Sequence, residues 1–291
     1  MTSQESLLRS EKSEAAARTH GITLNGRELR IRPYRDADSD EVQRLFYTAM
    51  GTGPGSPYRL ALHALPYQPA AYVTYAVFGS ALLLFNKPSF RLLGFGLSLG
   101  AGTAFFLYRR YLFKACMDYC QSCLDSDLAD IGGHYGMRDN PAIFHDEMGA
   151  VEVAKEPPEI LSSARSCSNR FWVVEDLSQP QEGQRNAIIG SVGLDGSNCE
   201  DPSVAEMRRM VVSPYHRRRG IGALLVRTVL DHARKYNIST ILLTSTTYQP
   251  GAIKMYANFG WKPTGKKILL DRVTNMYLMK FKLDLPGVQT L

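Results

Sequence analysis

Residues 210–223 read MVVSPYHRRRGIGA, and this stretch decides both the fold and the chemistry that the sequence predicts. Its apolar start predicts the end of a β-strand, Pro214 interrupts strand pairing, and an apolar stripe from Ile221 predicts an amphipathic helix. A helix start carries unpaired backbone N–H groups and the positive end of the helix dipole, so it binds anions. Gly220 and Gly222 let a phosphate approach the backbone closely, and three arginines add positive charge. The stretch therefore predicts a pyrophosphate-binding loop.

Three alternative functions for this loop fit the sequence less well. A solvated basic face would leave the glycines and the preceding strand without a role. A nucleic-acid patch is disfavoured because the basic cluster is short and has no aromatic platform or recognition helix beside it. A Walker loop needs a Gly-Lys-Ser/Thr sequence that is absent, and a dinucleotide fingerprint needs a third glycine where Leu225 stands. We therefore expect an anionic small-molecule ligand and no nucleic-acid partner.

The segments around the loop predict a mixed α/β sheet. We expect a strand hairpin at 171–174 with 188–194, a third strand at 205–212, a helix at 221–236, a further strand at 241–243, a short helix at 251–259 and a final strand pair at 266–282. A β-meander followed by alternating strands and helices is typical of a mixed, mostly antiparallel sheet flanked by helices.

The composition excludes several classes of protein. The 291 residues are 44% hydrophobic and 21% charged, which excludes an entirely disordered chain. Five cysteines are too few and too unevenly placed for a disulfide scaffold. The net charge of +6 fits an anionic ligand or a membrane surface as well as it fits nucleic acid.

Two apolar runs predict a membrane hairpin. Residues 69–85 and 92–108 are each 17 residues long and uncharged, and 86–91 form a turn with Pro88 between them. Seventeen residues is the lower limit for a spanning helix. The alternative is a pair of buried core helices, but neither run has the polar face of a helix packed at a surface. A spanning or re-entrant hairpin is therefore favoured. The segments that flank the hairpin contain more cations than its turn does, which predicts that these flanks lie in the cytosol.

These patterns predict four regions. We expect a flexible tail at 1–27, an α/β domain formed by 28–58 and 111–285, an inserted membrane hairpin at 60–110 and an irregular insertion at 132–165. The tail has no apolar segment that would make it a secretory signal.

Cys116, Cys120 and Cys123 have the i, i+4, i+7 spacing that places three thiols on one helix face. Such thiols can be buried and inert, carry palmitoyl groups next to a membrane, or hold an iron–sulfur cluster. Because the chain has no room left for the domain that such a cluster needs, we expect no metal.

Three motifs stand out: Arg217-x-x-Gly220-x-Gly222 after a strand, Ala252-x-x-x-Tyr256-x-x-x-Gly260-Trp261, and an opening segment from Ile31 to Asp38. Together they resemble the motifs of the GNAT superfamily of acyl-CoA N-acyltransferases. The apolar hairpin, Asp125–Ile131 and Ser168–Glu175 are similar to the camello-like, membrane-anchored group around N-acetyltransferase 8. The similarity covers roughly residues 29–131 and 166–282.

The resemblance implies a GNAT-type fold that uses acetyl-CoA. It implies that the backbone of one strand holds the acyl and pantetheine groups, through Met210, Val211 and Val212. It also implies that the loop holds the pyrophosphate, through Arg217, Arg218, Arg219, Gly220, Ile221, Gly222 and Ala223. Tyr256 matches the tyrosine placed near the departing sulfur and is a candidate acid for the thiolate, although a core aromatic is the alternative for this position. Where many members have Asn, this chain has Gln249, whose amide can also bond the pantetheine.

Glu206 is the candidate for the base that deprotonates the amine. It lies on the strand where the family often places a carboxylate, and Arg208 shares its face, so a surface ion pair is the alternative. His216 is expected to be positional.

The predicted function is acetyl-CoA-dependent N-acetylation of a primary amine at a membrane, and the resemblance implies an endoplasmic reticulum or other endomembrane location. The acceptor would be an amino acid, a cysteine S-conjugate or a protein lysine. A catalytically degenerate CoA-binding membrane adaptor and an acyltransferase acting on a lipid amine remain the alternatives.

Overall fold

The computed structural model describes residues 22–24, 26–138, 169–178, 186–269 and 276–286. The chain forms two compact units. Of the described residues, those within Met1–Phe46, Asp127–Leu243 and Leu283–Leu291 form the first unit, and those within Tyr47–Ser126 and Thr244–Lys282 form the second.

The first unit is built on a mostly antiparallel sheet. Its strands are β1 (Ile22–Leu24), β2 (Arg27–Pro33), β3 (Arg170–Asp176), β4 (Ile188–Asp195), β5 (Val204–Val212) and the start of β6 (Thr240–Thr246). Each strand from β1 to β5 pairs antiparallel with the next. β5 and β6 pair in parallel, from Val204 opposite Thr240 to Met207 opposite Leu243, and β5 then continues to Val212.

Three helices accompany these strands: α1 (Ser39–Tyr47), the short α5 (Ile131–His134) and α6 (Ile221–Lys235). α6 packs on β4, where a Cβ added to Gly190 would lie 3.3 Å from both Ile221 and Leu225. The apolar stripe of α6 is buried, which confirms the predicted amphipathic helix. The predicted mixed α/β class, mostly antiparallel and with flanking helices, is also confirmed.

The second unit is mainly helical. Its helices are α2 (Pro57–Ala64), α3 (Pro69–Leu84), α4 (Arg91–Leu124) and α7 (Pro250–Asn258), and β7 (Lys262–Ile268) pairs antiparallel with β8 (Tyr277–Asp284). A π-helical turn, Thr48–Thr52, precedes α2. Ala61, Leu65, Leu112 and Met276 form a buried core.

α3 and α4 are the two helices of the predicted apolar hairpin. They approach closely, because a Cβ added to Gly94 would lie 2.8 Å from the carbonyl oxygen of Ala81. Among the described residues, one helical stretch, Pro88–Leu124, is long and apolar enough to cross a membrane. Its most apolar 18 residues have a mean hydropathy of 1.5, and 6% of them are buried. The apolar part of α3, Ala71–Leu84, is shorter.

The structure corrects three sequence predictions of element boundaries. Ile22–Leu24, expected within the flexible tail, form β1 and pair with β2. The second helix of the hairpin, expected to end by residue 110, continues to Leu124 as α4, because no proline or glycine interrupts the chain between Thr103 and Leu124. The last strand pair begins at Lys262 rather than at residue 266.

Two predicted regions are only partly described. Residues 1–21 of the expected tail and most of the expected insertion at 132–165 lie outside the described residues. Within that insertion, residues 132–138 are described and include most of α5.

Candidate active site

The turn from β5 into α6 has the backbone of an anion site. Arg218 and Gly220 have φ angles of 65° and 86°, so both are left-handed, and Gly220 adopts this conformation without the strain of a side chain. Gly220 is the N-cap of α6, and no side-chain hydrogen bond caps the helix there. The first turn of α6 contains no acidic residue. Its first N–H groups are therefore available to a ligand, at the positive end of the helix dipole.

Side chains fix this turn from behind. Arg217 donates from Nε to the carbonyl oxygen of Val212 at 3.3 Å, and burial lowers its pKa. His216 Nδ1 lies 3.1 Å from Ser213 Oγ, and its Nε2 lies 3.3 Å from Arg27 Nη1. Burial and the charges of Arg219 and Arg27 lower the pKa of His216, which favours the neutral ring. These contacts agree with a positional role for His216.

A bulge interrupts the pairing of β5 with β4. Ser191 lies opposite Val211 and Gly193 opposite Arg208, so two residues of β5 face one residue of β4. Arg209 is in the bulge and has a φ of 52°, which is uncommon for a residue with a side chain. The bulge redirects the backbone immediately before Met210–Val212.

Glu206 belongs to a series of neighbouring polar side chains at the start of β5. Its Oε2 lies 3.7 Å from Arg208 Nε, and the same arginine donates from Nη1 to Asp195 Oδ2 at 2.9 Å. His134 Nε2 lies 3.0 Å from the same Asp195 oxygen. Asp195 is 2% exposed, and its hydrogen bonds lower its pKa despite the opposing effect of burial. The main partner of Arg208 is therefore Asp195, and Glu206 keeps a side chain that is 32% exposed.

Tyr256 and Gln249 lie in the second unit. Tyr256 is buried on α7, with its ring edge-on to Trp261 at 5.9 Å and tilted against Phe281 at 6.4 Å. Burial raises the pKa of Tyr256 far above its usual value, so its hydroxyl stays protonated at neutral pH. Gln249 is the N-cap of α7 and accepts a hydrogen bond from Ser245 Oγ at 2.9 Å through Oε1.

The same unit contains a cavity of about 210 Å³. Tyr58 of α2, Cys116, Tyr119 and Cys120 of α4, and Thr246 of β6 contribute to its wall, and none of the lining residues carries a charge. Gln249 contacts two residues of the cavity wall. Its Oε1 accepts from the Thr246 N–H at 3.3 Å, and its Nε2 lies 3.4 Å from Sδ of Met50.

Cys116, Cys120 and Cys123 do share one face of α4. Cys120 and Cys123 are buried, Cys116 is half-buried, and all three are free thiols. In the part of the chain that the structure describes, no group of three or more His, Cys, Asp or Glu side chains is arranged to hold a metal ion.

The first unit brings together most of the predicted site residues: Glu206, Met210–Val212 and Arg217–Ala223. Gln249 and Tyr256 belong to the second unit. The sequence prediction missed four polar residues near the bulge, namely Asp127, His134, Asp195 and Arg209. The acidic run Asp125–Asp130 contributes to the family resemblance, but nothing in it singles out Asp127.

Comparisons with known proteins match this arrangement to acetyltransferases. The family model described as Acetyltransferase (GNAT) family matches residues 139–261. N-acetyltransferase 8 of Mus musculus is 26% identical over 270 residues, covering 90% of this chain and 97% of that protein. N-acetylaspartate synthetase of Xenopus tropicalis is 27% identical over 240 residues, covering 82% of this chain and 71% of that protein.

A GNAT-family acetyltransferase from Staphylococcus aureus Mu50 is similar to this chain among solved structures. It has a TM-score of 0.44 and 12% identity, and the alignment covers 88% of this chain and 98% of that chain.

Proposed function

Residues 139–261 match the GNAT family model and the chain is similar to the N-acetyltransferase 8 proteins over most of its length, and from this premise we propose that it transfers the acetyl group of acetyl-CoA to a primary amine at a membrane. The N-terminus of α6 is the observation that carries the proposal. It combines a left-handed Gly220, no side-chain cap and three consecutive arginines. A pyrophosphate fits such a terminus because it accepts several N–H bonds and carries the opposite charge.

Each group of residues has a defined task in this proposal. Ile221, Gly222 and Ala223 bind the pyrophosphate through their N–H groups, and Arg217–Arg219 add positive charge. The backbone of Met210–Val212 binds the pantetheine and acetyl groups, and one of its N–H groups polarises the acetyl carbonyl. The amine nitrogen then bonds to the carbonyl carbon, the C–S bond breaks, and the electron pair leaves with the sulfur as a thiolate. The nitrogen loses its second proton to solvent water, which leaves a neutral amide.

Tyr256 stabilises that thiolate by donating a hydrogen bond. Because burial raises the pKa of Tyr256, a thiolate with a pKa near 8.5 is too weak a base to remove its proton. We therefore assign Tyr256 the donation of a hydrogen bond and not the complete transfer of a proton.

Glu206 is the candidate for the base. An ammonium group with a pKa near 10 must lose a proton before its nitrogen can attack. Glu206 is 32% exposed and lies on the strand that leads to Met210–Val212, 3.7 Å from Arg208 Nε, and a carboxylate at this position can serve as the general base.

The uncharged cavity supports an acceptor with an apolar group. An apolar protein cavity of about 150 Å³ can bind benzene, so about 210 Å³ has room for an aromatic ring with a short chain. A carboxylate in this cavity would lose its hydration without gaining a cationic partner. We therefore propose that amines with an apolar side group are better acceptors than aspartate.

The apolar surface of α3 and α4 supports the membrane location. Leu83, Leu92 and Leu99 are 72%, 89% and 60% exposed. Exposed apolar side chains in such number are unusual on a protein surrounded by water. We propose that this hairpin lies in an endomembrane and that the chain on both sides of it is cytosolic.

CoA release from acetyl-CoA, measured with detergent-purified protein, tests the proposal. The acceptors are aspartate, phenylalanine, an S-substituted cysteine, a lysine peptide and a sphingoid amine. We expect the highest kcat/KM for an acceptor with an apolar group. Turnover of the sphingoid amine alone would favour the lipid-amine alternative, and saturable acetyl-CoA binding without turnover would favour the adaptor.

Two variants and a matched control separate the site from general damage. Tyr256→Phe should lower kcat at least about tenfold, because it removes one hydrogen bond to the leaving group. Arg218→Glu should raise the KM for acetyl-CoA roughly tenfold. Arg227→Glu makes the same charge reversal at an exposed position further along α6 and should change neither value. Equal effects of Arg218→Glu and Arg227→Glu on KM would contradict the pyrophosphate assignment.

A further inference from the structure

The bulge in β5 is held by a buried charged group that no step of the proposed reaction uses. Arg209 has a φ of 52°, a conformation that a residue with a Cβ adopts only when its surroundings enforce it. The next three residues, Met210–Val212, are the ones proposed to bind the acetyl and pantetheine groups. Whatever holds Arg209 therefore also sets the direction of that backbone.

Asp127 holds Arg209 from the segment after α4. Arg209 Nε lies 3.0 and 2.9 Å from the two carboxylate oxygens of Asp127, and Nη2 donates to the same group. Both side chains are nearly inaccessible, with 10% of Arg209 and 2% of Asp127 exposed. The other side of the guanidinium lies over the ring of Phe46, 5.6 Å from its centroid.

Tyr135 fixes Asp127 and contacts the partner strand at the bulge. Its hydroxyl donates to Asp127 Oδ2 at 3.1 Å, and its ring is fully buried against Phe171. The phenol also lies directly against Gly193 of β4, where an added Cβ would be only 2.6 Å from the hydroxyl oxygen. Tyr135, which is held against β4, therefore keeps Asp127 in place, and Asp127 cannot move with Arg209 if the bulge changes its conformation.

We propose that Asp127 is a positioning residue for acetyl transfer: through Arg209 it holds the β5 bulge, and so aims the backbone of Met210–Val212 at the acetyl group. The inference rests on the proposed function, since it assumes that this backbone binds acetyl-CoA. The pyrophosphate loop begins beyond this backbone, at Arg217, and has its own contacts. We call the Asp127–Arg209 ion pair the clamp. Its loss should therefore weaken the orientation of the acetyl group more than it weakens the binding of the CoA moiety.

Asp127→Asn is the first test, because it removes the charge and keeps the shape. We expect kcat to fall about 10- to 100-fold, the cost of misplacing a reacting group by about 1 Å, while the dissociation constant of CoA changes less than about threefold. A role in stability alone would lower the folded fraction and leave kcat per folded molecule unchanged. The folded fraction is measured in the same samples by thermal unfolding.

A pair of double variants tests the bulge without a buried unpaired charge. Asp127→Asn with Arg209→Gly keeps a residue that accepts a positive φ, whereas Asp127→Asn with Arg209→Val introduces a β-branched residue that does not. We expect the glycine variant to retain a kcat at least about tenfold above that of the valine variant, at a temperature where both are folded. Equal kcat values in the two would overturn the proposal.

Binding measurements distinguish a failure of the clamp from a failure of the proposed function. The ratio of acetyl-CoA affinity to CoA affinity reports contacts with the acetyl group and requires no turnover. If the wild-type protein does not bind acetyl-CoA, the proposed function fails, and this inference fails with it. If the wild-type protein binds and turns over acetyl-CoA but Asp127→Asn leaves kcat and the affinity ratio unchanged, only the clamp is wrong.

Discussion

The β5 bulge of the first unit and the α3–α4 hairpin of the second unit differ in which side chains they bury. The bulge buries charged side chains, and the hairpin exposes apolar ones. Around the bulge, Asp127 and Asp195 are buried, and each has an arginine partner within 3.0 Å. On the hairpin, large apolar side chains such as Leu92 and Leu99 are exposed while the glycines pack between helices or face outward. One part of the chain therefore removes charge from water, and the other presents hydrocarbon to its surroundings.

The difference indicates which free energies each region depends on. A buried ion pair is costly to form but far more costly to break on one side, because the remaining charge is left unpaired. An exposed apolar helix gains its free energy only when a membrane or another apolar phase covers it. Mutations should therefore affect folding in the first region and the distribution between membrane and solution in the second.

The largest effect should come from breaking the buried pair at the bulge. Asp127→Ala leaves the Arg209 guanidinium buried without its carboxylate, and we expect the free energy of unfolding to fall by about 3–5 kcal/mol. Asp118→Ala on α4 is the matched control, since it removes a carboxylate that is 64% exposed and 3.1 Å from Lys114. Thermal unfolding in detergent should show a large drop for the first variant and little change for the second. Similar drops would mean that burial does not distinguish the two pairs.

A somewhat smaller effect should follow from placing a charge on the apolar hairpin. Leu99→Arg puts a cation in the middle of the uncharged part of α4, and the cost of inserting it into a bilayer is about 2.5–3.5 kcal/mol. We expect a smaller fraction of this variant to stay with membranes after alkaline carbonate washing. Gln121→Arg, at an exposed position near the end of the same helix, should be retained like the wild type. Equal retention of all three proteins would contradict a membrane contact at Leu99.

The sequence predicts local features of both regions better than it predicts distant contacts. The strands, α6 and the phosphate loop follow from consecutive residues, because apolar periodicity, Pro214 and the two glycines act within one segment. The continuity of α4 does not follow from apolar periodicity, because Arg109 and Arg110 end the uncharged run. Charged residues change the preferred surroundings of a helix without breaking its hydrogen bonds.

The clamp at the bulge could not be predicted from sequence in this way. Asp127 and Arg209 are 82 positions apart, and neither has a local pattern that names the other. Arg209 also follows Arg208 in a strand, so period-two alternation predicts that their side chains point to opposite faces. The bulge breaks this alternation, and its position depends on the pairing of β5 with β4, which one segment alone does not determine.

The smallest predicted effect appears only at alkaline pH and concerns the interior of the second unit. Burial raises the pKa of Tyr256 above the value near 10 that it has in the unfolded chain. At a pH between the unfolded-state pKa and the folded-state pKa, the unfolded state therefore loses a proton that the folded state keeps. The free energy of unfolding must then fall as the pH rises above about 10, by about 1.4 kcal/mol per pH unit for this group. Below pH 9 the same group should contribute no slope.

Tyr256→Phe should remove that part of the slope and leave the part due to Tyr135, whose pKa burial also raises. Tyr215→Phe makes the same change at a position that is 70% exposed and is the control for the loss of a tyrosine hydroxyl at the surface. Denaturant unfolding at several values between pH 9 and 11 measures all three slopes. If Tyr256→Phe and the wild type have the same slope, Tyr256 is accessible to water, and the second unit then lacks the sealed interior that a raised pKa requires. A reduced slope would show that this unit, despite its exposed helices, excludes water around the hydroxyl proposed to bind the leaving sulfur.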